Sequence, residues 1–543
     1  MSKISKIVDW EDKVRKEKPV ENFMGGVSYQ LDPLETLKMI SASSIFGEPA
    51  YYRNSGIRDG KFKYHRLVED YGLFLFPDNK TTSEIMIMAI EDSLEYDFMG
   101  TIEWAKELRN NFYMRLNPQV IMVLAAINPK REEFSKENPS LFRQLNCEIM
   151  ARADEPASQL SFYLYYNKSK NKIPSILKRS WADRIEKMTK YEIAKYKNKD
   201  IGLIDVIRIC HAKNSAINEL MTTGTIEIEE EDKTWENLRS EGKSFKEILR
   251  TIDMPHMALL RNLKNIFKEI DDLSEKDNIL AKLKSGVKKG KQFPFRYYTA
   301  LQRIEKCSNS EINFKASIMD ALEDCIDISS RELPMLKGKT MCLSDNSGSA
   351  WGAIPSEYGS VTVAEIGNLS SVMVAHRSDE GYVGAFGDRL KEYSILKKNG
   401  ILSEAKKISE ESRQGIGMGT ENGIWLFFLS AIREKTWYDN IFIYSDQQAG
   451  HGGLYGKTDD YIIDGTNYNS GKYVDVMKLI NKYRAEVNPK VNVFMIQTAG
   501  YNNALIPEYI YRGAVLYGWT GKELLFASEL IKQWDNKENK KEA

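Results

Sequence analysis

Up to about residue 335, apolar residues recur at helical spacing between capping residues, and alternation with a period of two is scarce. This half predicts an all-helical region. Asp32-Pro33 sets an N-cap and an N1 proline before Leu34, Leu37 and Ile40, while Asn117-Pro118 and Asn128-Pro129 bracket a helix through Val120, Val123 and Leu124. Further helices are predicted in the stretches 176–196, 203–210, 245–252, 256–270, 297–304 and 312–326. Roughly a dozen short helices are too many for one four-helix bundle, so stacked helix pairs are the economical packing, although no fixed repeat period is visible.

From Lys339 the pattern changes to short apolar runs alternating with amphipathic stretches, the order of βαβ units around a parallel sheet. Strands are predicted at 340–343, 382–386, 441–444, 491–496 and 514–517, with helices at 362–375, 424–433, 474–483 and 522–533 and a frayed charged tail over 535–543. The expected division is 1–335 and 336–543, an α plus α/β multidomain chain.

A length of 543 residues exceeds what one core normally organises, which agrees with this division. The 77 Lys and Arg against 77 Asp and Glu, with 42% apolar residues, describe an ordered chain and exclude a polycationic tail. No apolar run approaches the ~20 residues needed to cross a bilayer, and the first residues lack a signal-peptide core, so a cytoplasmic protein is expected. The five cysteines (147, 210, 307, 325 and 342) contain no C-x-x-C pair and are read as buried thiols; the five histidines show no metal-ligand spacing.

Charge is uneven locally. Residues 161–200 carry 11 Lys and Arg against 4 Asp and Glu, and residues 281–310 carry 8 against 1. Aromatics interleave both stretches: Tyr163, Tyr165, Tyr166, Trp181, Tyr191 and Tyr196 in the first, Phe293, Phe295, Tyr297 and Tyr298 in the second. Cations neutralise phosphates and rings stack on unpaired bases, so these segments are candidates for nucleic-acid contact. The acidic stretch 225–232 between them would confine an anionic ligand.

The sharpest chemical motif is Asp345-Asn346-Ser347-Gly348-Ser349, D-x-S-x-S, directly after the first strand of the α/β part. In an open parallel sheet, ligands gather at the carboxyl ends of strands. Asp446 follows another strand and is expected on the same rim, and Thr420 sits in a glycine-rich loop before a helix. Hydroxyl and carboxylate oxygens carrying two charges suit Mg²⁺ above all, with Mn²⁺ or Ca²⁺ as alternatives. Gly338-Lys339-Thr340 mimics the end of a phosphate-binding loop, but Leu333 replaces its first glycine and the triplet enters a strand. Gly415, Gly417 and Gly419 are explained as the turn carrying Thr420.

The pattern D-x-S-x-S, then Thr420, then Asp446 resembles the metal-ion-dependent adhesion site of von Willebrand factor A-like domains, whose doubly wound parallel sheet is Rossmann-like. That resemblance implies an adhesive site in which an open metal position accepts a partner's carboxylate. In the helical half, several segments resemble in order the TROVE module of telomerase-associated, Ro and vault-associated proteins: Met24-Gly25-Gly26-Val27-Ser28-Tyr29, Phe46-Gly47 with Tyr51-Tyr52, Ser180-Trp181-Ala182, Met254-Pro255-His256 through Leu263, and Phe293-Pro294-Phe295 through Leu301. A TROVE module followed by a von Willebrand A-like domain is similar to the architecture of the Ro ribonucleoprotein family, in its bacterial or phage form.

The resemblance implies HEAT-like repeats closed into a ring with a basic hole that takes single-stranded RNA ends, small Y-like RNA on the outside, and an exoribonuclease as partner. It implies a non-enzymatic, monomeric protein of RNA quality control within a ribonucleoprotein, with no catalytic residues. Family RNA contacts carry over to Lys195, Lys197, Lys199 and His211, with Arg261 and Asn262 as further candidates. Lys199 stands where the family usually has arginine, which keeps the charge and loses the bidentate fork. The alternative is a metal-dependent protein adhesion module with the helical part as scaffold.

Overall fold

The computed structural model describes residues 19–21, 27–43, 46, 82–169, 171–196, 202–224, 226, 233–352, 361–387, 389–416, 423–447, 449, 462–463, 466–467, 475–498, 503–507, 509–517 and 523–542. The chain forms two compact units, Met86–Met254 and a second assembled from Met1–Ile85 with Pro255–Ala543.

The unit Met86–Met254 is helical among its described residues. Its central helix, Leu116–Ile127, is buried from Asn117 to Ala126, so it cannot be amphipathic and is enclosed by other helices. Three buried amides in that interior, Gln119, Asn146 and Gln159, find partners in one another and in their surroundings. Gln159, from the helix Glu155–Tyr166, donates to Gln119 Oε1 at 2.8 Å and to Asn146 Oδ1 at 2.7 Å, while its own oxygen accepts from Trp181 Nε1 at 2.8 Å. Gln119 in turn donates from Nε2 to the Ile149 carbonyl at 3.2 Å. One amide thus joins the helices Leu116–Ile127, Leu141–Ile149, Glu155–Tyr166 and Ser175–Glu186.

The second unit is built on a seven-stranded sheet. Its strands are β1 (Leu336–Asp345), β2 (Ser378–Phe386), β3 (Leu390–Ile395), β4 (Asn440–Ser445), β5 (Asn492–Gln497), β6 (Tyr509–Ile510) and β7 (Gly513–Tyr517), in the order β6-β7-β5-β4-β1-β2-β3. The five inner strands are parallel; β3 and β6 close the edges antiparallel. Strands covered on both faces must be apolar throughout, and β4 and β5 are buried at every position. Each fully buried Ile, Val or Phe there contributes about 1.5–3 kcal/mol. Helix Val363–His376 packs with Ile401–Gly415, and Gly423–Arg433 packs with Val476–Glu486.

Three side-chain links fasten the helices Pro294–Glu305 and Lys315–Arg331 to this sheet layer: Gln302 to Glu365 at 2.7 Å, Lys406 to Glu305 at 2.7 Å, and Glu323, which accepts from Leu402 N at 2.7 Å. The last is a carboxylate at a helix N-terminus, where free N–H groups and the helix dipole favour negative charge.

The predicted α plus α/β order holds, with differences in detail. The first part is not wholly helical: Val27–Gln30 pairs antiparallel with Pro19–Glu21 and with Asn503–Ala504. Helix Ile401–Gly415 and strand β3 were not expected from the sequence. The expected C-terminal helix continues to Glu542, through the stretch 535–543 where a frayed tail was expected, because Asp535 and Glu538 pair with Arg512. Gly338 has φ +79° at a register shift in β1, and an added Cβ would lie 2.1 Å from Asp439 Oδ2, which accepts from Lys339 N. The phosphate-loop mimic is thus a strand irregularity. Three cysteines are buried as expected, whereas Cys147 and Cys210 are half-buried.

His256 is buried at the start of the helix His256–Glu269, with Nε2 3.0 Å from the Tyr297 hydroxyl. Its ring fills the space left by glycine: a Cβ on Gly290 would lie 2.4 Å from it.

Two predictions follow from these cores. Gln159→Leu leaves the Gln119 side-chain oxygen, the Asn146 amide and the Trp181 indole N–H without the partner each has in the parent, at a cost of about 1–3 kcal/mol each. Urea unfolding should show a loss of about 3 kcal/mol or more, partly recovered by adding Trp181→Phe; an unchanged midpoint would refute the network's role. Burial holds the His256 pKa below its ordinary value. The unfolded chain therefore takes up the proton first, so this contribution to stability is full above about pH 6.5 and is lost as pH falls below it. In thermal melts across that range, His256→Gln should show a flatter dependence of Tm on pH than the parent.

Candidate functional site

Parallel pairing of β1 with β4 sets the site. Ser344 lies opposite Tyr444, so Asp345 and Asp446 leave neighbouring strands at nearly the same level. Asp345 is 3% and Asp446 2% exposed. Asp345 Oδ1 accepts from Ser347 N at 2.8 Å, which folds the loop back on the strand end and starts the short helix Gly348–Gly352. Ser347 Oγ lies 2.9 Å from Ser349 Oγ, and Ser349 Oγ donates to Asp446 Oδ2 at 3.4 Å. Four of the five residues singled out as metal ligands are therefore brought together. The fifth, Thr420, lies outside the described residues.

The donor set is two carboxylates and two hydroxyls, all hard oxygen, buried except for the half-buried Ser349, and on the rim where ligands of parallel sheets bind. Two buried carboxylates beside two hydroxyls concentrate negative charge and oxygen donors of the kind that a small divalent cation takes. Among the described residues no group of three or more His, Cys, Asp or Glu is placed to hold a metal, so such a site depends on the serine hydroxyls.

Residues that carry no motif hold this loop in place. Asn346 and Asn368, both fully buried, exchange side-chain amide bonds at 2.9 and 3.0 Å, and Asn368 also donates to Ser409 Oγ at 2.9 Å. Gln447, directly after Asp446, has φ +62°, unusual for a side-chain-bearing residue. Its N–H donates to Ser445 Oγ at 2.7 Å, and its side-chain oxygen accepts from Leu505 N at 3.2 Å. Sequence reasoning missed these three residues; asparagine or glutamine at an unrestricted motif position gives no signal of its burial.

The candidate RNA residues are less gathered. His211 is exposed at the C-cap of the helix Leu203–Cys210, with φ 55° and its backbone N–H donating to Ile207 O at 2.8 Å. Lys195 lies in the helix Lys190–Tyr196; Lys197, Lys199 and most of the acidic stretch 225–232 lie outside the described residues. Arg261 is exposed on the helix His256–Glu269, while Asn262 is half-buried and bonds Ala258 O at 2.9 Å within its own helix. His211 and Arg261 belong to different compact units.

Several interleaved aromatics are core residues, contrary to the stacking expected of them: Tyr163, Trp181, Phe295, Tyr297 and Tyr298 are buried. Tyr163 donates to the carbonyls of Asn171 and Lys172, and Trp181 to Gln159. Tyr165 remains 48% exposed, with Lys168 Nζ 4.8 Å from its ring centroid.

Comparison with known families adds the decisive observation: the TROVE domain profile matches residues 101–337. The chain carries a TROVE domain. The matched stretch begins in the helix Phe98–Asn110 and ends at the start of β1. Among solved structures, the crystal structure of the Deinococcus radiodurans Ro (RSR) protein is similar at 12% identity and a TM-score of 0.52, covering 92% of this chain and 100% of that one. At that identity the likeness is one of fold: a helix-rich TROVE region followed by a mixed, mainly parallel sheet. No curated protein sequence matches the chain. No helix among the described residues is long and apolar enough to cross a membrane.

Proposed function

We propose that this protein binds RNA, holding small non-coding Y-like RNA and the free single-stranded ends of misfolded or immature RNA. It would act in RNA quality control or processing as a monomeric protein of a cytoplasmic ribonucleoprotein, beside an exoribonuclease. The observation that carries this reading is the TROVE match over residues 101–337, joined by the likeness in fold to a Ro protein. The reading assigns binding residues only and no catalytic group. The exposed His211 and Arg261, the exposed Tyr165 with Lys168, and the lysines at 195, 197 and 199 are its candidate contacts.

A second reading, a metal-dependent protein adhesion module, is favoured by the cluster at the ends of β1 and β4. In it Asp345, Ser347, Ser349, Thr420 and Asp446 hold Mg²⁺, or Mn²⁺ or Ca²⁺ in its place. The cation would supply an electrophilic position for a carboxylate of a protein partner. The two readings are compatible, because the cluster and the candidate RNA contacts share no residue.

Phosphate contacts release counterions, so RNA affinity should fall steeply with salt, and each Lys→Gln change should lower the log–log slope by about one. Changing Lys195 and Lys199 to Gln together with His211→Ala should weaken Y-like RNA binding by about tenfold or more; retention equal to the parent in filter binding would reject these contacts. For the metal, Mg²⁺ should raise the Tm of the parent chain and leave that of Asp345→Ala unmoved, with RNA retained by both. A parent chain whose Tm ignores Mg²⁺ and Mn²⁺ would end the second reading.

A further inference from the structure

A cavity of about 470 Å³ lies between the helix Pro294–Glu305 and the helices Val363–His376 and Ile401–Gly415, within one compact unit. Its size falls in the ~300–1,000 Å³ range of small-molecule sites. The carboxylates in its wall are already engaged. Glu305 pairs with Lys406 at 2.7 Å, Glu410 approaches the same ammonium at 3.7 Å, and Glu365 accepts from Gln302 and from Thr362 N, each at 2.7 Å.

Two cations at the rim are not so engaged. Among the described residues, neither Lys306 nor Arg413 forms an ion pair, and both are exposed. The Arg413 guanidinium lies 5.3 Å from the centroid of the Trp351 indole. Trp351 is 9% exposed, and its Nε1–H is buried with no acceptor among the described residues. Tyr298, 1% exposed, supplies a second aromatic wall.

We propose that this cavity binds a nucleoside monophosphate group. Two unengaged cations match a phosphate monoester of charge near −2 better than a single carboxylate, and the planar guanidinium can take two of its oxygens at once. The aromatic walls and the polar side chains of Gln302, Ser409 and Thr362 suit an uncharged planar base with hydrogen-bonding edges. The same group is offered by a free nucleotide and by the phosphorylated end of an RNA strand. The site stands independently of the RNA reading above, since none of its residues is among the contacts proposed there.

The test is calorimetric titration of the full chain with adenosine 5′-monophosphate, adenosine, inorganic phosphate and a 5′-phosphorylated triadenylate. Saturable binding of the monophosphate, little of adenosine or phosphate, and a weakening of about tenfold or more in Lys306→Glu with Arg413→Glu are expected. Both residues are exposed, so the variant should fold, which circular dichroism checks. Competition by the triadenylate at equal concentration identifies an RNA end as the source; its failure to compete identifies a free nucleotide. Monophosphate binding that is absent, matched by inorganic phosphate, or unaltered in the double variant overturns the proposal. Loss of this binding with Y-like RNA binding intact separates the cavity from the RNA contacts.

Discussion

The candidate metal centre depends on one constraint, the parallel pairing of β1 with β4 in the middle of the sheet. Parallel neighbours end on the same side, so two short acidic loops distant in sequence meet without any long excursion. A shift of one residue in that register would turn Asp345 to the opposite face and separate it from Asp446. The register is secured by burial on both faces, since Met341, Cys342 and Leu343 and their neighbours Ile441, Phe442 and Ile443 are all fully buried. The apolar core thereby fixes the position of the polar site.

The helical unit meets a related problem in a different way. Helices buried all round carry no register information in an amphipathic stripe, and uniform apolar packing permits sliding. Gln159 supplies direction: its four hydrogen bonds reach three other helices, and each is satisfied only in one arrangement. Buried amides are costly when half-satisfied, and this penalty on alternatives is what lets one side chain specify a packing.

What was legible in the sequence and what was not divide along physical lines. The helical half, the strands of the parallel sheet and the D-x-S-x-S loop were legible because each rests on local periodicity or on a dense motif. Helix Ile401–Gly415 was hidden by its Glu- and Lys-rich exposed face, and the last turns of the C-terminal helix, past residue 534, were mistaken for a tail because their ion pairs reach a residue distant in sequence. The basic segments misled in one respect: aromatic residues beside lysines look like stacking platforms, yet Trp181 and Tyr297 are core residues whose polar atoms bond inward. Burial is a long-range property, and a one-dimensional pattern of rings and charges does not contain it. The same holds for Asn346, Asn368 and Gln447, which support the acidic loops from behind.

The division expected from the sequence falls at residue 335/336, but packing is continuous across that point. Glu323 reaches the N-terminus of the helix Ile401–Gly415, Glu305 pairs with Lys406, and Gln302 bonds Glu365, so the last helices of the TROVE match share a core with the sheet. These contacts also shape the cavity, because they hold two helical layers together at fixed points while leaving space between them. Asn368, Ser409 and Asn346 continue the same polar line from that cavity to the acidic loop at the end of β1. A group seated against Ser409 and Trp351 would therefore press on side chains that position Asp345 and Ser347. The hydrogen-bonded path is short and buried, and buried amides have few alternative partners, so displacement at one end has to be accommodated along its length.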